Sequence, residues 1–198
     1  MLLDSITLYN FRQYYKKQTI EFSKSTKRNV TVIHGENGSG KTALLNAFLW
    51  CLYGDLNLPK SDEIINEYAI VSANIGDKVE AYVQLEFNSK SLDYTLTRKI
   101  SADKVSENEV HYHKPEVKLV YRTPEGQSEE VKNPTQEINS ILPKDLRSYF
   151  FFDGERIDNL SKKSGSEDIK KAIKTIMGLE ILERAIKHTD EAKKRFRS

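Results

Sequence analysis

The chain has 198 residues, enough for one domain with a substantial core. Its 31 basic and 29 acidic residues give a net charge of +2, so the overall charge neither favours nor excludes a nucleic-acid partner. The single cysteine, Cys51, excludes an internal disulfide framework and is predicted to be a core residue, and no apolar run is long enough to span a bilayer. We therefore expect a cytoplasmic protein without a signal peptide or membrane segment.

The chain opens with a pattern that predicts a β-hairpin. Residues 2–11 alternate apolar and polar side chains, as expected of a half-buried strand, and residues 18–22 repeat the alternation after a polar connection. Arg12 follows the first strand directly. Its side chain is either a solvated loop charge or, because a phosphate-binding motif follows soon afterwards in the chain, a candidate nucleotide contact.

The functional prediction rests on residues 35–42, which read Gly-Glu-Asn-Gly-Ser-Gly-Lys-Thr. Their spacing, a glycine, four residues and then Gly-Lys-Thr, is that of a phosphate-binding P-loop. The apolar, β-branched residues 30–33 before the motif predict a buried strand. Residues 43–52 after it are good helix formers, and Gly54 predicts the end of that helix. Strand, glycine loop and helix in this order are the context that the motif requires.

The motif supplies the chemistry that a triphosphate needs. A tight turn points several backbone N–H groups at one anion, and the helix N-terminus adds free N–H groups and its dipole. Gly35, Gly38 and Gly40 permit positive φ angles and a close approach of the backbone. Lys41 is predicted to reach the β- and γ-phosphates, and the Thr42 hydroxyl to bind Mg²⁺. The alternative is a glycine-rich turn that only caps the helix.

The middle of the chain predicts an antiparallel meander with one buried and one solvated face. Alternating segments separated by turn residues lie at residues 79–87, 93–100, 110–113 and 117–122. Short helices are predicted from residue 63 and between residues 135 and 142. His111 and His113 share one strand face, a spacing that can bind a metal. No cysteine or carboxylate pair completes a ligand set in sequence, which favours surface histidines.

A second candidate segment is the aromatic run at residues 148–152, which is followed by Asp153, Gly154 and Glu155. An aromatic strand here would deliver carboxylates that serve Mg²⁺ or a water molecule. In one interpretation it is a Walker B strand with Glu155 as the general base. In another it leads into a strand-to-helix loop that contacts Mg²⁺ from the side. Both place Asp153 near the metal, and the remaining alternative is a core strand with a solvated turn.

The end of the chain predicts helices. One candidate covers residues 167–177 and ends at Gly178. A heptad-like seam, weak at its last positions, then runs through Leu179, Leu182, Ile186, Thr189, Lys193 and Phe196. We therefore expect a lobe at residues 1–178 and the start of a coiled-coil helix at residues 179–198. We expect that helix to continue beyond Ser198.

Together these motifs resemble the N-terminal lobe of the SMC-like ABC ATPases, the group that contains the coiled-coil ATPase of double-strand-break repair, RecF and SbcC. The stretches that carry the resemblance are residues 10–12, 35–42, 50–54, 60–65, 152–157 and 176–180. The Phe-Phe-Phe-Asp-Gly-Glu form at residues 150–155 is most similar to the bacterial branch with the DNA phosphorothioation protein DndD and the Lamassu defence ATPases.

The resemblance implies a P-loop NTPase fold of the α/β class that uses ATP and Mg²⁺. The nucleotide contacts that it implies are Arg12, Gly35, Asn37, Gly38, Ser39, Gly40, Lys41, Thr42 and Ala43. Asp153 falls where the group has a glutamine that contacts Mg²⁺ or the attacking water, which favours the side-loop interpretation. Lys41 and Asp153 are therefore the residues expected to act in hydrolysis, with Thr42 and Asp153 at the metal. Aspartate in place of glutamine adds a negative charge to that site.

The group's signature motif, Walker B strand and switch histidine lie in a C-terminal lobe, and none is recognisable in this sequence. The resemblance therefore implies a chain that binds phosphate but is inactive until the C-terminal lobe of the same protein and a second head complete the site. We predict an ATP-driven machine that acts on DNA in bacterial repair or anti-phage defence, with a nuclease or effector as a further partner. The alternatives are a nucleotide-gated scaffold that recruits an effector with negligible turnover, and an unrelated P-loop kinase or GTPase, for which no specific motif is found.

Overall fold

The computed structural model describes residues 1–25, 27–56, 63–107 and 109–151, together with residues 185, 186, 188, 189 and 193. The chain divides into two compact units, Met1–Lys144 and Asp145–Ser198. The first unit holds every described residue of the candidate site, so the framework of that unit determines how the site is positioned.

One seven-stranded antiparallel sheet forms the framework of the first unit. Its strands are β1 (Leu2–Phe11), β2 (Tyr14–Glu21), β3 (Lys78–Ser89), β4 (Leu92–Lys104), β5 (Val110–Tyr112), β6 (Glu116–Arg122) and β7 (Ser128–Glu130). The spatial order is β2-β1-β3-β4-β6-β7, and β5 pairs with β4. The predicted hairpin and meander are therefore confirmed, although β2 begins at Tyr14 rather than at the predicted residue 18. We did not predict β7.

The β3–β4 hairpin shows how alternation sets the register of the sheet. Lys90 and Ser91 form its two-residue turn at positive φ angles of 51° and 65°, a geometry that matches the twist of paired strands. In this register the odd-numbered residues of β3 and the even-numbered residues of β4 face one side, where Val83, Leu85 and Leu96 have 0% exposure. The other side carries mostly polar side chains and, apart from the buried Ser101, is half-buried or exposed.

Helix α1 (Lys41–Tyr53) packs on the apolar side of the sheet, against β3 and β4. Its buried residues are Ala43, Leu44, Asn46, Ala47, Leu49, Trp50, Cys51 and Leu52. The centroid of the Trp50 ring lies 5.3 Å from that of Phe11 in β1. The helix ends at Gly54, which has a φ of 76° and donates its N–H to the Trp50 carbonyl, so the predicted helix stop is confirmed.

A buried arginine from β4 caps the C-terminal end of α1. Arg98 Nε donates to the Cys51 carbonyl at 3.1 Å, and Arg98 Nη2 donates to the Leu52 carbonyl at 3.4 Å. Carbonyls in the last turn of a helix have no intrahelical donor, and a cation there also complements the helix dipole. The Cys51 thiol is buried and donates to the Val83 carbonyl at 3.3 Å, which confirms the prediction of a core cysteine.

The described part of the first unit also contains α2 (Glu67–Val71) and α3 (Pro134–Ile141). Asn66 caps α2 by accepting a hydrogen bond from the Ala69 N–H at 3.3 Å, so this helix begins at Glu67 rather than at the predicted residue 63. The Tyr53 hydroxyl donates to the Leu142 carbonyl at 3.1 Å and joins the end of α1 to the end of α3. No helix in the described residues is long and apolar enough to cross a membrane.

The described start of the second unit contains α4 (Arg147–Phe150), which follows a 3₁₀ turn at Lys144–Leu146. The aromatic strand predicted at residues 148–152 is therefore wrong where that run is described. A strand needs a neighbour for its hydrogen bonds, whereas a helical turn forms them within itself. The described residues from 185 to 193 are helical, as predicted for that segment. The helix predicted at 167–177 and the boundary predicted at 178 lie outside the described residues.

Candidate functional site

The loop that precedes α1 is a tight turn. Gly38 and Gly40 have φ angles of 83° and 98°, which confirms that these two positions require glycine. The positive φ predicted for Gly35 is wrong, and glycine fits there because a Cβ would come too close to the Ser39 hydroxyl. The Ser39 N–H donates to the Glu36 carbonyl at 3.2 Å and closes the turn.

Helix α1 begins directly after this turn, with Gly40 as its N-cap. The Gly40 carbonyl accepts the first intrahelical bond from the Leu44 N–H at 2.9 Å. The N–H groups of Lys41, Thr42 and Ala43 therefore have no acceptor within the helix. No acidic residue lies in the first turn, so no carboxylate there opposes the positive end of the helix dipole. An anion such as phosphate is the ligand that this end of the helix favours.

The Lys41 ammonium lies over the loop. Its Nζ donates to the carbonyls of Gly35 and Glu36, at 2.7 Å each. In the described part of the chain, the ion pairs involve other residues, so no carboxylate neutralises this ammonium there. Asn37 and Ser39 in the loop are exposed. A cation beside free N–H groups is an arrangement that binds a polyphosphate through charge-assisted hydrogen bonds.

Thr42 places a hydroxyl at the start of α1, and the residue is exposed. An oxygen donor in this position suits Mg²⁺, which is bound by few protein ligands together with substrate phosphates. Asn46, one turn further on, donates its Nδ2 to the Thr42 carbonyl at 2.9 Å. The second residue predicted at the metal, Asp153, and the candidate base Glu155 lie outside the described residues. Among the described residues, no group of three or more His, Cys, Asp and Glu could hold a metal ion.

The histidines of β5 and its end lie on the surface. His113 Nε2 is 2.9 Å from Asp103 Oδ2, and the rings of His111 and His113 are perpendicular with centroids 5.8 Å apart. Both residues are exposed. This arrangement fits the surface role that the sequence favoured.

Tyr14 contacts the glycine loop, and this contact was not predicted. Its hydroxyl donates to the Gly40 carbonyl at 3.2 Å. A Cβ on Gly40 would lie 3.3 Å from the same hydroxyl oxygen, so the tyrosine fills the space beside this glycine. No pattern in the sequence indicates the contact, because the two residues are 26 positions apart and lie on different elements.

Arg12 lies in the turn of the β1–β2 hairpin, with a φ of 53°. Its backbone N–H donates to the Ile64 carbonyl at 2.9 Å, and its Nη1 donates to the Glu63 carbonyl at 2.6 Å. Tyr14 therefore holds the hairpin turn beside the loop, and the Arg12 guanidinium donates to the segment before α2. The nucleotide contact of Arg12 stays a prediction.

Residues 30–33 do not form the buried strand that we predicted. They are outside every strand, and Val30, Val32 and Ile33 are 76%, 68% and 43% exposed. The edge strand β2, which precedes them in the chain, pairs with β1 and not with these residues. The prediction is wrong for this chain because a strand forms only where a neighbour accepts and donates its backbone hydrogen bonds.

A family model described as AAA domain matches residues 5–198. The chain is 27% identical over 98% of its length to the DNA double-strand break repair Rad50 ATPase of Pyrococcus abyssi. It is 26% identical over 85% of its length to the DNA replication and repair protein RecF of Clostridium beijerinckii. The alignments cover 20% and 47% of these two relatives, so the chain spans less than half of either.

A solved structure from work on the ATP-driven dimerization and DNA-stimulated activation of SMC ATPases has a similar fold. It matches with a TM-score of 0.51 at 18% sequence identity, over 87% of this chain and 99% of that chain. The match confirms the predicted α/β fold of an SMC-like lobe.

Proposed function

Because the chain belongs to the AAA domain family and has the fold of an SMC-like ATPase lobe, we propose that it binds ATP and Mg²⁺ at the loop before α1 and works as one half of an ATPase head. The observation that carries this proposal is the Lys41 ammonium, held over a turn of backbone N–H groups at the start of α1. The lysine cation, the backbone amides and the helix dipole would all stabilise a triphosphate bound at this loop.

The residues of the loop bind and orient the nucleotide in this proposal. The free N–H groups at the start of α1 contact the phosphates, and Lys41 exchanges its two carbonyl contacts for phosphate oxygens. The Thr42 hydroxyl holds Mg²⁺, which neutralises charge on the phosphoryl group when it is bound. Positioning and charge neutralisation therefore account for most of what this lobe contributes to hydrolysis.

Arg12 and Asp153 are further parts of the proposed site. The support for Arg12 is the Tyr14 contact, which holds the hairpin turn beside the loop, two positions away from the arginine. Its guanidinium would leave the Glu63 carbonyl to reach the nucleotide. Asp153 is placed beside Mg²⁺ on the family resemblance alone.

The exposed apolar run at residues 30–33 supports the proposal that a C-terminal lobe of the same protein completes the head. That lobe would pair a strand with this run and would contribute the signature motif and the general base. We therefore propose that the present chain binds ATP alone but does not hydrolyse it. A coiled coil beginning at residue 179 would join the two lobes.

The setting of this activity is proposed from the relatives. One is an ATPase of DNA double-strand break repair, another is a DNA replication and repair protein, and the structural neighbour comes from work on ATP-driven dimerization and DNA-stimulated activation. We propose that ATP joins two heads of this protein into a homodimer that acts on DNA in the cytoplasm. The process is bacterial DNA repair or anti-phage defence, with a nuclease or effector as partner.

The test is the affinity of the Lys41→Ala variant for ATP with Mg²⁺, measured by titration calorimetry. Loss of charge-assisted bonds to phosphate should weaken binding by about 10-fold to 100-fold. Lys27→Ala removes an exposed cation at a turn before the loop and should leave the affinity unchanged. Equal affinities of Lys41→Ala and the unmodified chain would overturn the proposed site.

Steady-state release of phosphate by the complete protein separates the ATPase from the nucleotide-gated scaffold. Turnover that depends on Lys41 supports the enzyme. ATP-dependent dimerisation with negligible phosphate release would favour the scaffold.

A further inference from the structure

The Gly40 carbonyl accepts two hydrogen bonds from different parts of the fold. One comes from the Leu44 N–H within α1 at 2.9 Å, and the other comes from the Tyr14 hydroxyl in β2 at 3.2 Å. A carbonyl oxygen has two lone pairs, so both donors are accommodated. The peptide that links the loop to the helix is therefore held from two sides.

The orientation of this peptide determines where one N–H group points. In a trans peptide the carbonyl of one residue and the N–H of the next point in opposite directions. The Gly40 carbonyl points towards its two donors, so the Lys41 N–H points away from them, out of the N-terminal end of α1. That N–H is one of the groups that the proposed function assigns to the triphosphate.

We propose that Tyr14 is a positioning residue for the nucleotide site, because its hydroxyl orients the Gly40–Lys41 peptide and so presents the Lys41 N–H to phosphate. The inference rests on the proposed function of the loop. It adds a residue outside the glycine motif, on a different element, to the groups that determine nucleotide affinity.

The tyrosine is itself held in place, which a positioning role requires. Its backbone pairs with Phe11 across the hairpin, and the Phe11 ring packs on Trp50 of α1 at a centroid distance of 5.3 Å. The hairpin is thus fixed to the same helix whose N-terminus Tyr14 contacts. Burial raises the pKa of the Tyr14 phenol above its ordinary value, so the hydroxyl stays a donor across neutral pH.

The space beside Gly40 strengthens the link between the two elements. The ring and hydroxyl of Tyr14 supply the three nearest atoms to a Cβ placed on Gly40, at 3.3 to 3.7 Å. The tyrosine ring therefore lies directly beside the peptide that its hydroxyl contacts. Ring and hydroxyl thus both contact the side of the loop at Gly40.

The experiment compares Tyr14→Phe with the unmodified protein in ATP binding by this chain and in steady-state hydrolysis by the complete ATPase. Loss of one neutral hydrogen bond should raise the Kd for ATP by about threefold to tenfold. In hydrolysis the KM for ATP should rise by a similar factor with kcat unchanged, because the amide contacts phosphate in both the ground state and the transition state. Tyr15→Phe, at the exposed neighbouring position, is the matched control and should change neither constant.

The KM and kcat values distinguish positioning from a structural role. A hydroxyl that only stabilised the fold would reduce the fraction of active protein, which lowers the apparent kcat and leaves KM unchanged; that result would overturn the inference. Tyr14→Ala, which removes the ring as well, should raise KM further than Tyr14→Phe. If Lys41→Ala loses ATP binding while Tyr14→Phe binds normally, only this inference fails. If Lys41→Ala also binds normally, the proposed site itself fails.

Discussion

Two apolar runs flank the glycine loop, and they differ in how far their side chains are buried. Residues 43–52, after the loop, form a helix in which Trp50 is 1% exposed and Cys51 is 0% exposed. Residues 30–33, before the loop, include Val30 at 76% exposure and Val32 at 68%. Both runs were predicted to be buried elements. An apolar pattern therefore predicts that a segment needs to be buried, but it does not show which part of the protein will cover it.

The physical reason lies in the backbone. A helix satisfies most of its N–H and carbonyl groups internally, so α1 needs only an apolar surface to pack on, and the sheet provides it. A strand must exchange hydrogen bonds with a neighbour. β1 and β3 have a neighbour on each side, and the edge strand β2 pairs with β1 alone, so none of these strands pairs with the run at residues 30–33.

Substitution in the core beneath α1 should reduce the free energy of unfolding more than any other change proposed here. Trp50→Ala removes a side chain that is 1% exposed and that packs on Phe11, so the free energy of unfolding should fall by about 3–5 kcal/mol. Urea denaturation followed by circular dichroism measures this change. Tyr68→Ala, at an aromatic residue that is 71% exposed, should change the stability by only about 0.5 kcal/mol. A similar decrease in the free energy of unfolding in both variants would contradict the burial of Trp50.

The next effect concerns the end of the same helix. Arg98→Met keeps the length of the side chain but leaves the Cys51 and Leu52 carbonyls without their donors, so the free energy of unfolding should fall by about 1–3 kcal/mol. Lys99→Met is the matched control, since Lys99 forms only a half-exposed ion pair with Glu80 and should cost about 0–1 kcal/mol. An Arg98→Met protein as stable as the control would show that the arginine does not cap α1.

A smaller effect depends on pH. Burial raises the pKa of the Cys51 thiol to about 12 from an ordinary value of 9.0, so the folded state retains the thiol proton more strongly than the unfolded state. Stability should therefore be unaffected by this group below pH 9 and should decline as pH rises from 9 towards 12, by about 1.4 kcal/mol per pH unit. The measurement is the slope of unfolding free energy against pH, compared with Cys51→Ala. Equal slopes above pH 9 would contradict a buried thiol.

The smallest expected effect is on the exposed run. Val32→Thr should change the stability of this chain by less than about 0.5 kcal/mol, because the side chain is 68% exposed. In the complete protein the same substitution should cost about 1–3 kcal/mol, since the hydroxyl would be buried against the proposed second lobe. Thermal denaturation of both proteins gives the two values. A large cost in this chain alone would mean that the run is already buried here.

Local patterns were sufficient for those elements of the fold whose partners are adjacent in the sequence. Alternation and a two-residue turn predicted the β3–β4 hairpin, and Gly54 predicted the end of α1. β7 was missed because Ser128–Glu130 is polar and exposed, so it has no apolar alternation; it forms where β6 offers a free edge. The strand predicted at residues 148–152 is wrong where that run is described, because Arg147–Phe150 forms a helical turn whose hydrogen bonds need no neighbouring strand.

The only residues of the candidate site that the sequence could predict are those within the glycine motif. The motif required glycine at Gly38 and Gly40, and both have the positive φ angles that this implies. Tyr14 and Arg98 contact the loop and its helix from 26 and 47 positions away, and such contacts follow from the packing of the sheet rather than from spacing. Asp153 lies outside the described residues and stays a prediction.

The exposed valines before the loop, Val30 and Val32, have a practical consequence for purification of the protein. Exposed apolar, β-branched segments favour association between copies, and a net charge of +2 provides little repulsion. Preparations of these 198 residues alone should therefore aggregate as they are concentrated, and co-expression with the complementary lobe should keep them in solution.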